Sequence, residues 1–178
     1  MRRLLTITML VLLACQWGVA SASDSVLDGI VVDFDLQDRN GDIVSFEAFK
    51  GKNVLIAFGF THCVHICPMI AANMSRVLKT SDKDAVGVFI SVDTERDTPE
   101  ITDNYAEGFG ERMIGLSGSY DQVSTAAKNF DVTFVVTKSE DTYTVQHTPS
   151  IFLIGPDGSV IDVFAMNTPS GDIAAAMK

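Results

Sequence analysis

The stretch Phe58-Gly59-Phe60-Thr61-His62-Cys63-Val64-His65-Ile66-Cys67-Pro68 decides how the rest of the chain is read, because in it an apolar run gives way to two cysteines four positions apart, with two histidines beside them. Val54 to Phe60 is apolar and mostly β-favouring, as suits a strand buried on both faces. After it, Met69, Ile70, Met74, Val77 and Leu78 recur at roughly helical spacing. A strand therefore delivers the cysteines to the start of a helix. Proline is tolerated in a first helical turn but not further in, so Pro68 is expected as the first helical residue, with Cys67 at the N-cap and Cys63 in the loop before it. Unsatisfied N–H groups and the positive end of the helix dipole favour thiolate over thiol there, and thiolate is the form that attacks disulfides and binds metal.

Upstream, Arg2 and Arg3 precede an uncharged apolar run from Leu4 to Ala14, the charged-then-apolar form of a secretory signal. The run is too short to span a bilayer as a mature helix. Two endings compete: Leu12-Leu13-Ala14-Cys15 resembles a bacterial lipobox that would lipidate Cys15, and Ala20-Ser21-Ala22 offers an ordinary cleavage site. Residues 1–22 are thus expected to be a signal peptide or lipoprotein signal with an N-terminal anchor, residues 23–32 a linker, and residues 33–178 the folded domain. Export places Cys63 and Cys67 in an oxidising compartment, where a close thiol pair drifts to disulfide unless something reduces it. The pair is then redox-active, metal-bound or both; a purely structural bridge over so short a loop would restrict the unfolded chain little.

A chain of 178 residues with 47% hydrophobic content suits one globular domain with an adequate core. Its net charge of −10 and pI near 4.5 argue against a nucleic-acid partner, since binding phosphates takes clustered Lys and Arg. Asp33 to Leu36, Asn40-Gly41 and Ile43 to Phe46 read as an N-terminal β-hairpin. Val86 to Val92 is a second buried strand, followed by Asp97-Thr98-Pro99 as a helix start. Met113 to Leu116 reads as a strand and Tyr120 to Phe130 as a helix; Val132 to Val136 and Thr142 to Val145 flank a second hairpin turn. That hairpin runs into His147-Thr148-Pro149-Ser150, a strand from Ile151 to Ile154, a Pro156-Asp157-Gly158 turn, a strand from Val160 to Phe164 and a short Ala-rich helix. The alternation predicts an α/β fold with a mixed central sheet flanked by helices.

Three ordered motifs now stand out: Phe58-Gly59-Phe60-Thr61-His62-Cys63-x-x-x-Cys67-Pro68, Phe89-Ile90-Ser91-Val92-Asp93-Thr94-Glu95-Arg96-Asp97-Thr98, and His147 ahead of Phe152-Leu153-Ile154-x-Pro156-Asp157-Gly158. Together they resemble the Sco/SenC family, membrane-tethered thioredoxin-fold proteins that handle copper during cytochrome c oxidase assembly. The resemblance implies a thioredoxin-like fold, with Cys63, Cys67 and His147 as copper ligands and Asp93 and Asp97 in a loop bordering the site. Two thiolates suit soft Cu(I), and an added imidazole allows Cu(II) to be held as well. The implied partners are a copper-acceptor subunit of cytochrome c oxidase or another periplasmic copper protein, a thiol reductant, and the membrane through an N-terminal anchor. Val64 and His65 stand where the family commonly has Pro-Asp, and Thr94 replaces a common proline.

Other readings of the same residues stay open. His62 and His65 are solvated loop residues, or else a fourth ligand or a cation that lowers a thiol pKa. Thr148-Pro149 looks like the cis-proline segment that faces the cysteines of thioredoxin-like oxidoreductases, which makes an exported thiol-disulfide oxidoreductase the alternative function. Zinc also fits two Cys and one His. For a peroxidase, no basic partner for a peroxidatic Cys63 is visible.

Overall fold

The structure is a computed structural model that describes residues 33–178. The expected signal peptide, the Cys15 lipobox and the linker lie outside the described residues. Strand β1 (Asp35–Gln37) pairs antiparallel with β2 (Ile43–Ser45) as the expected N-terminal hairpin. Its turn uses Gly41 at φ +84, a conformation that favours glycine, and the Asp38 carboxylate accepts the backbone N–H groups of Asn40 and Asp42 at 2.9 and 3.0 Å.

Strand β3 (Asn53–Gly59) leads into helix α1 (Ile66–Thr80), β4 (Ala85–Ser91) into α2 (Pro99–Glu107), and β5 (Met113–Leu116) into α3 (Tyr120–Asn129). Thr98 caps α2 by accepting the Ile101 N–H, with Pro99 at its first position; Ser119 and Gln122 form a reciprocal capping box on α3. The second hairpin comprises β6 (Phe134–Lys138) and β7 (Tyr143–His147), and β8 (Ser150–Ile154), β9 (Val160–Ala165) and α4 (Ser170–Ala176) complete the chain. The hairpin begins two residues later than expected because Val132 serves to end α3: its N–H bonds to Ala127 O, after Asp131 at φ +52.

The main sheet has the order β5-β4-β3-β8-β9, with β3, β4 and β5 parallel and β8 and β9 antiparallel additions. This is the expected mixed sheet of a thioredoxin-like fold, with β3 at its centre. Val54, Ile56 and Phe58 point to one face, where α3 and the N-terminal hairpin cover them; Leu55 and Ala57 point to the other, beneath α1 and α4. Burial on both faces is why β3 and β4 read as unbroken apolar runs. Hairpin β6–β7 stays outside the main sheet as a two-stranded arm. No helix among the described residues is long and apolar enough to cross a membrane.

Candidate metal centre

The site gathers at the carboxyl end of β3. Helix α1 starts at Ile66, two residues earlier than expected, with His65 rather than Cys67 at the N-cap. The difference follows from the orphan donors of a helix start: no N–H in the first turn has an intrahelical partner, so proline is as acceptable at the third helical position as at the first. The shift places Cys67 inside the first turn. The His65 side chain makes no capping bond. Instead the Cys67 backbone N–H donates to Cys63 Sγ at 3.4 Å, so the first cysteine serves as the cap acceptor of the helix that carries the second.

The two thiols are therefore unlike. Burial alone would push the half-buried Cys63 up, but the backbone N–H groups of Cys67, His65 and Ile66 outweigh it, and the net shift is downward from 9.0. Cys67 is wholly buried, and burial, aided by the neighbouring Cys63, pushes it up to about 12. Cys67 sits over Gly59: a methyl group there would lie 2.6 Å from the Phe89 ring and 3.0 Å from Cys67 Sγ. Only glycine leaves that room.

His147, the last residue of β7, brings its Nε2 to 3.4 Å from Cys67 Sγ. Its ring stands edge-on to Phe60, with centroids 6.0 Å apart and planes at 89°. Nδ1 lies 3.2 Å from Thr148 O, and since a carbonyl only accepts, Nδ1 carries the proton and Nε2 offers its lone pair to the sulfur side. Burial lowers the His147 pKa below 6.5, partly offset by that carbonyl, so the ring stays neutral and able to ligate at neutral pH. Cys67 Sγ and one correctly tautomerised imidazole nitrogen meet, with Cys63 Sγ at the start of the same helix turn, a donor set whose chemistry suits a soft or borderline metal ion. Among the described residues both cysteines are free thiols.

Asp93 and Asp97 border this site without entering it. Asp97 is buried and accepts Thr61 N–H at 2.7 Å, the Thr61 hydroxyl at 2.6 Å and the Ser91 hydroxyl at 2.6 Å, anchoring the loop that carries Cys63. Asp93, also buried, accepts the Tyr143 hydroxyl at 2.6 Å and Arg96 Nε at 2.5 Å, and the Arg96 guanidinium lies 3.9 Å over the Tyr143 ring. With the Lys138–Glu95 pair, these contacts fasten the β6–β7 arm, and so His147, to the loop after β4. His62 Nδ1 lies 3.5 Å from Asp97 Oδ1 and 3.2 Å from the Thr61 hydroxyl. The ligand atoms of His62, Asp93 and Asp97 lie within 4.8 Å of one another, but both carboxylates already accept several protein donors, so the group reads as a network. His65 is exposed and gives Cys63 only its backbone N–H.

The cis-proline expectation is not met. No cis peptide bond occurs among the described residues, and Pro149 is exposed between β7 and β8. The group that lies against the Cys67 sulfur is the His147 ring. Thr61, Ser91, Arg96 and Tyr143 were not singled out as site residues in the sequence. For Tyr143 a signal was present: four positions before His147 on one strand, it shares the histidine's face.

A thioredoxin-like sheet with a cysteine pair at a helix start and a histidine arm folded over it defines a class of thiol proteins equipped to hold metal. A family model described as SCO1/SenC matches residues 23–178, and the chain belongs to that family. The human mitochondrial SCO1 homolog is 37% identical over 151 residues, covering 81% of this chain and 50% of the relative; Schizosaccharomyces pombe Sco1 is 37% identical over 153 residues, covering 81% and 58%. The chain thus spans about half the length of these curated relatives. Among solved structures, copper-bound Arabidopsis thaliana ScoI is similar at TM-score 0.73 and 33% identity, covering 82% of this chain and 94% of that one. Copper-bound Bradyrhizobium japonicum ScoI gives 0.72 and 35%, covering 82% and 96%.

Proposed function

We propose that this protein is a copper-binding metallochaperone that receives copper on Cys63, Cys67 and His147 and passes it to the copper centre of a respiratory cytochrome c oxidase. The observation that carries the reading is the approach of His147 Nε2 to Cys67 Sγ, with Cys63 Sγ capping the same helix turn. Copper-bound relatives of the same fold support the choice of cargo, and a further relative, BsSco, is described as a member of a family of cytochrome c oxidase assembly proteins. Here copper is cargo. Cys63, half-buried and inclined to thiolate, meets it first; Cys67 yields its proton to solvent as the second sulfur binds, and the arm supplies the imidazole. The thiolates suit Cu(I), and the imidazole extends the range to Cu(II).

The same pair closes to a disulfide when it gives up two protons and two electrons, which removes both thiolate ligands. Loading therefore needs a thiol reductant, and the second reading, an exported thiol-disulfide oxidoreductase, rests on the contrast between an accessible low-pKa Cys63 and a buried Cys67. The trans, exposed Pro149 gives no support to that reading. The chain is exported and held at the periplasmic side of a bacterial inner membrane by its N-terminal segment, with a lipid on Cys15 as the anchor. Titration of the reduced and the disulfide forms with Cu(I) and with Cu(II) tests the function. One tightly held copper in the reduced form alone is expected, and equal affinity in both forms would sink the proposal.

A further inference from the structure

Among the described residues, no element covers the outer stripe of α1. Ile66, Met69, Arg76 and Lys79 follow one another at helical spacing and all are exposed, with Val64 just ahead of them in the cysteine loop. Val64 is 78% exposed and Met69, which shares the spacing of the core residues, is 56% exposed. Single apolar side chains on a surface are ordinary, but Val64, Ile66 and Met69 stand together beside the metal centre. No Asp, Glu, Lys or Arg occurs from Asn53 to Ser75, in a chain whose net charge is −10. The mouth of the site is thus apolar and uncharged where the family commonly carries Pro-Asp.

The far end of the same stripe is basic. Helix α1 holds no acidic residue, and its last two turns expose Arg76 and Lys79. Across a groove from them lies exposed Arg112, just ahead of β5. Two adjoining cavities of about 300 and 320 Å³ make up this groove: Leu78, Lys79, Arg112 and Met113 line one, and Arg76, Lys79 and Phe109 the other. The Lys79 stem lies along it, its Cε 3.9 Å from where a methyl group on Gly110 would stand. Arg39, Lys50, Arg96 and Lys138 are in ion pairs, whereas among the described residues Arg76, Lys79 and Arg112 are in none. Glu111 is the one acid lining the groove. The nearby end of α2 makes no call on the cations, because the Asn104, Ala106 and Glu107 carbonyls accept the N–H groups of Gly108, Phe109 and Gly110. Unpaired cations gathered on one face of an acidic protein are matched by charge from outside it.

Resting on the copper reading above, we propose that the outer face of α1 is the docking surface for the copper-exchange partner, a protein with an apolar rim around its own copper ligands and an acidic patch beside it. The rim closes over Val64, Ile66 and Met69. The acidic patch, about 15 Å further along at 1.5 Å per residue, meets Arg76, Lys79 and Arg112. Helix α1, with 15 residues, is about 22 Å long and fits within a contact of about 800 Å² on each partner. A second copy of this chain is a poor occupant, since it brings the same cations and a net charge of −10. A membrane is a poor occupant as well: the apolar end of the stripe surrounds the metal ligands, and Phe34, near the end of the chain that leads to the anchor, packs on the opposite face of the sheet.

The test reads the association of the full chain, loaded with Cu(I), with the soluble copper-acceptor domain of cytochrome c oxidase, by surface plasmon resonance over a range of salt. Copper stoichiometry and melting temperature are recorded for every variant. Arg76→Glu combined with Lys79→Glu should lower the association rate constant about tenfold and flatten its salt dependence. Val64→Ser combined with Met69→Gln should instead speed dissociation about tenfold at an unchanged salt slope. Lys128→Glu, which changes an exposed cation on α3 across the sheet, should leave both constants close to wild type. All five side chains are exposed, so copper stoichiometry and melting temperature should hold throughout. Wild-type kinetics in both double variants would overturn the proposal, as would an equal loss in Lys128→Glu, which would mark a general effect of net charge. A dependence on Arg76 and Lys79 that appears only with phosphatidylglycerol vesicles present would assign the face to the membrane and overturn it too. A wild-type chain that takes up no copper would instead overturn the copper reading on which the proposal rests.

Discussion

Replacing Asp97 by Ala should loosen the cysteine loop, and its cost can be worked from the contacts. Three donors converge on this carboxylate, from Thr61 N–H, the Thr61 hydroxyl and the Ser91 hydroxyl. The Thr61 hydroxyl lies at a half-exposed residue and can turn to water; the Ser91 hydroxyl is fully buried, and the Thr61 N–H is fixed by its backbone. Two donors are thus stranded, at about 1–3 kcal/mol each, for a total of about 4 kcal/mol. For a chain of this length each kcal/mol lowers the melting temperature by about 2–4 °C, so a drop on the order of 10 °C is expected in thermal unfolding followed by circular dichroism. Asp97→Asn keeps the shape and one acceptor oxygen, and should lose roughly half as much. Copper affinity should fall in both variants, because Thr61 lies two residues before Cys63. A melting temperature and Cu(I) affinity for Asp97→Ala equal to wild type would refute the idea that this buried carboxylate holds the loop.

Tyr143→Phe keeps the ring beneath Arg96 but leaves Asp93 short of one donor. It should cost about 1–3 kcal/mol and weaken Cu(II) more than Cu(I), since the arm it fastens carries the imidazole; competition titrations with both ions check this. Pro149→Ala should leave copper stoichiometry intact, because the residue is exposed and the ligand precedes it by two positions; loss of copper together with loss of disulfide exchange would favour the oxidoreductase reading. Stability of the reduced, metal-free protein should depend on pH at both ends. Above pH 9 the unfolded chain releases a Cys67 proton that the folded chain keeps until about 12, so stability falls as pH rises through that window. Below 6.5 the unfolded chain gains a His147 proton that the folded chain resists, so stability also falls on acidification. Denaturant midpoints for wild type and for Cys67→Ala and His147→Ala should show the alkaline loss shrink in the first variant, the remainder belonging to the raised phenols of Tyr105 and Tyr143, and the acid loss shrink in the second.

The strand leading to Cys63 was legible because burial on both faces leaves an unbroken apolar run, and the helix after it because its core positions recur at helical spacing. His147 was legible through its motif, not through geometry: no local pattern shows that a residue 80 positions after Cys67 lies against its sulfur. The early helix start was hidden by over-reading Pro68, whose missing N–H is harmless anywhere in a first turn. Likewise the Asp97–Thr61 bond spans 36 positions and joins the loops after β3 and β4, while the Tyr143–Asp93 bond spans 50 and depends on how the arm folds against the loop after β4.

X-ray absorption at the copper edge of the Cu(I)-loaded wild-type protein and of His147→Ala tests the central claim most directly. Two sulfur scatterers and one imidazole are expected in wild type, with the imidazole signature lost and both sulfurs retained in the variant. An imidazole signature that survives His147→Ala, or sulfur coordination that persists after Cys63 and Cys67 are both alkylated, would contradict the assignment of the site.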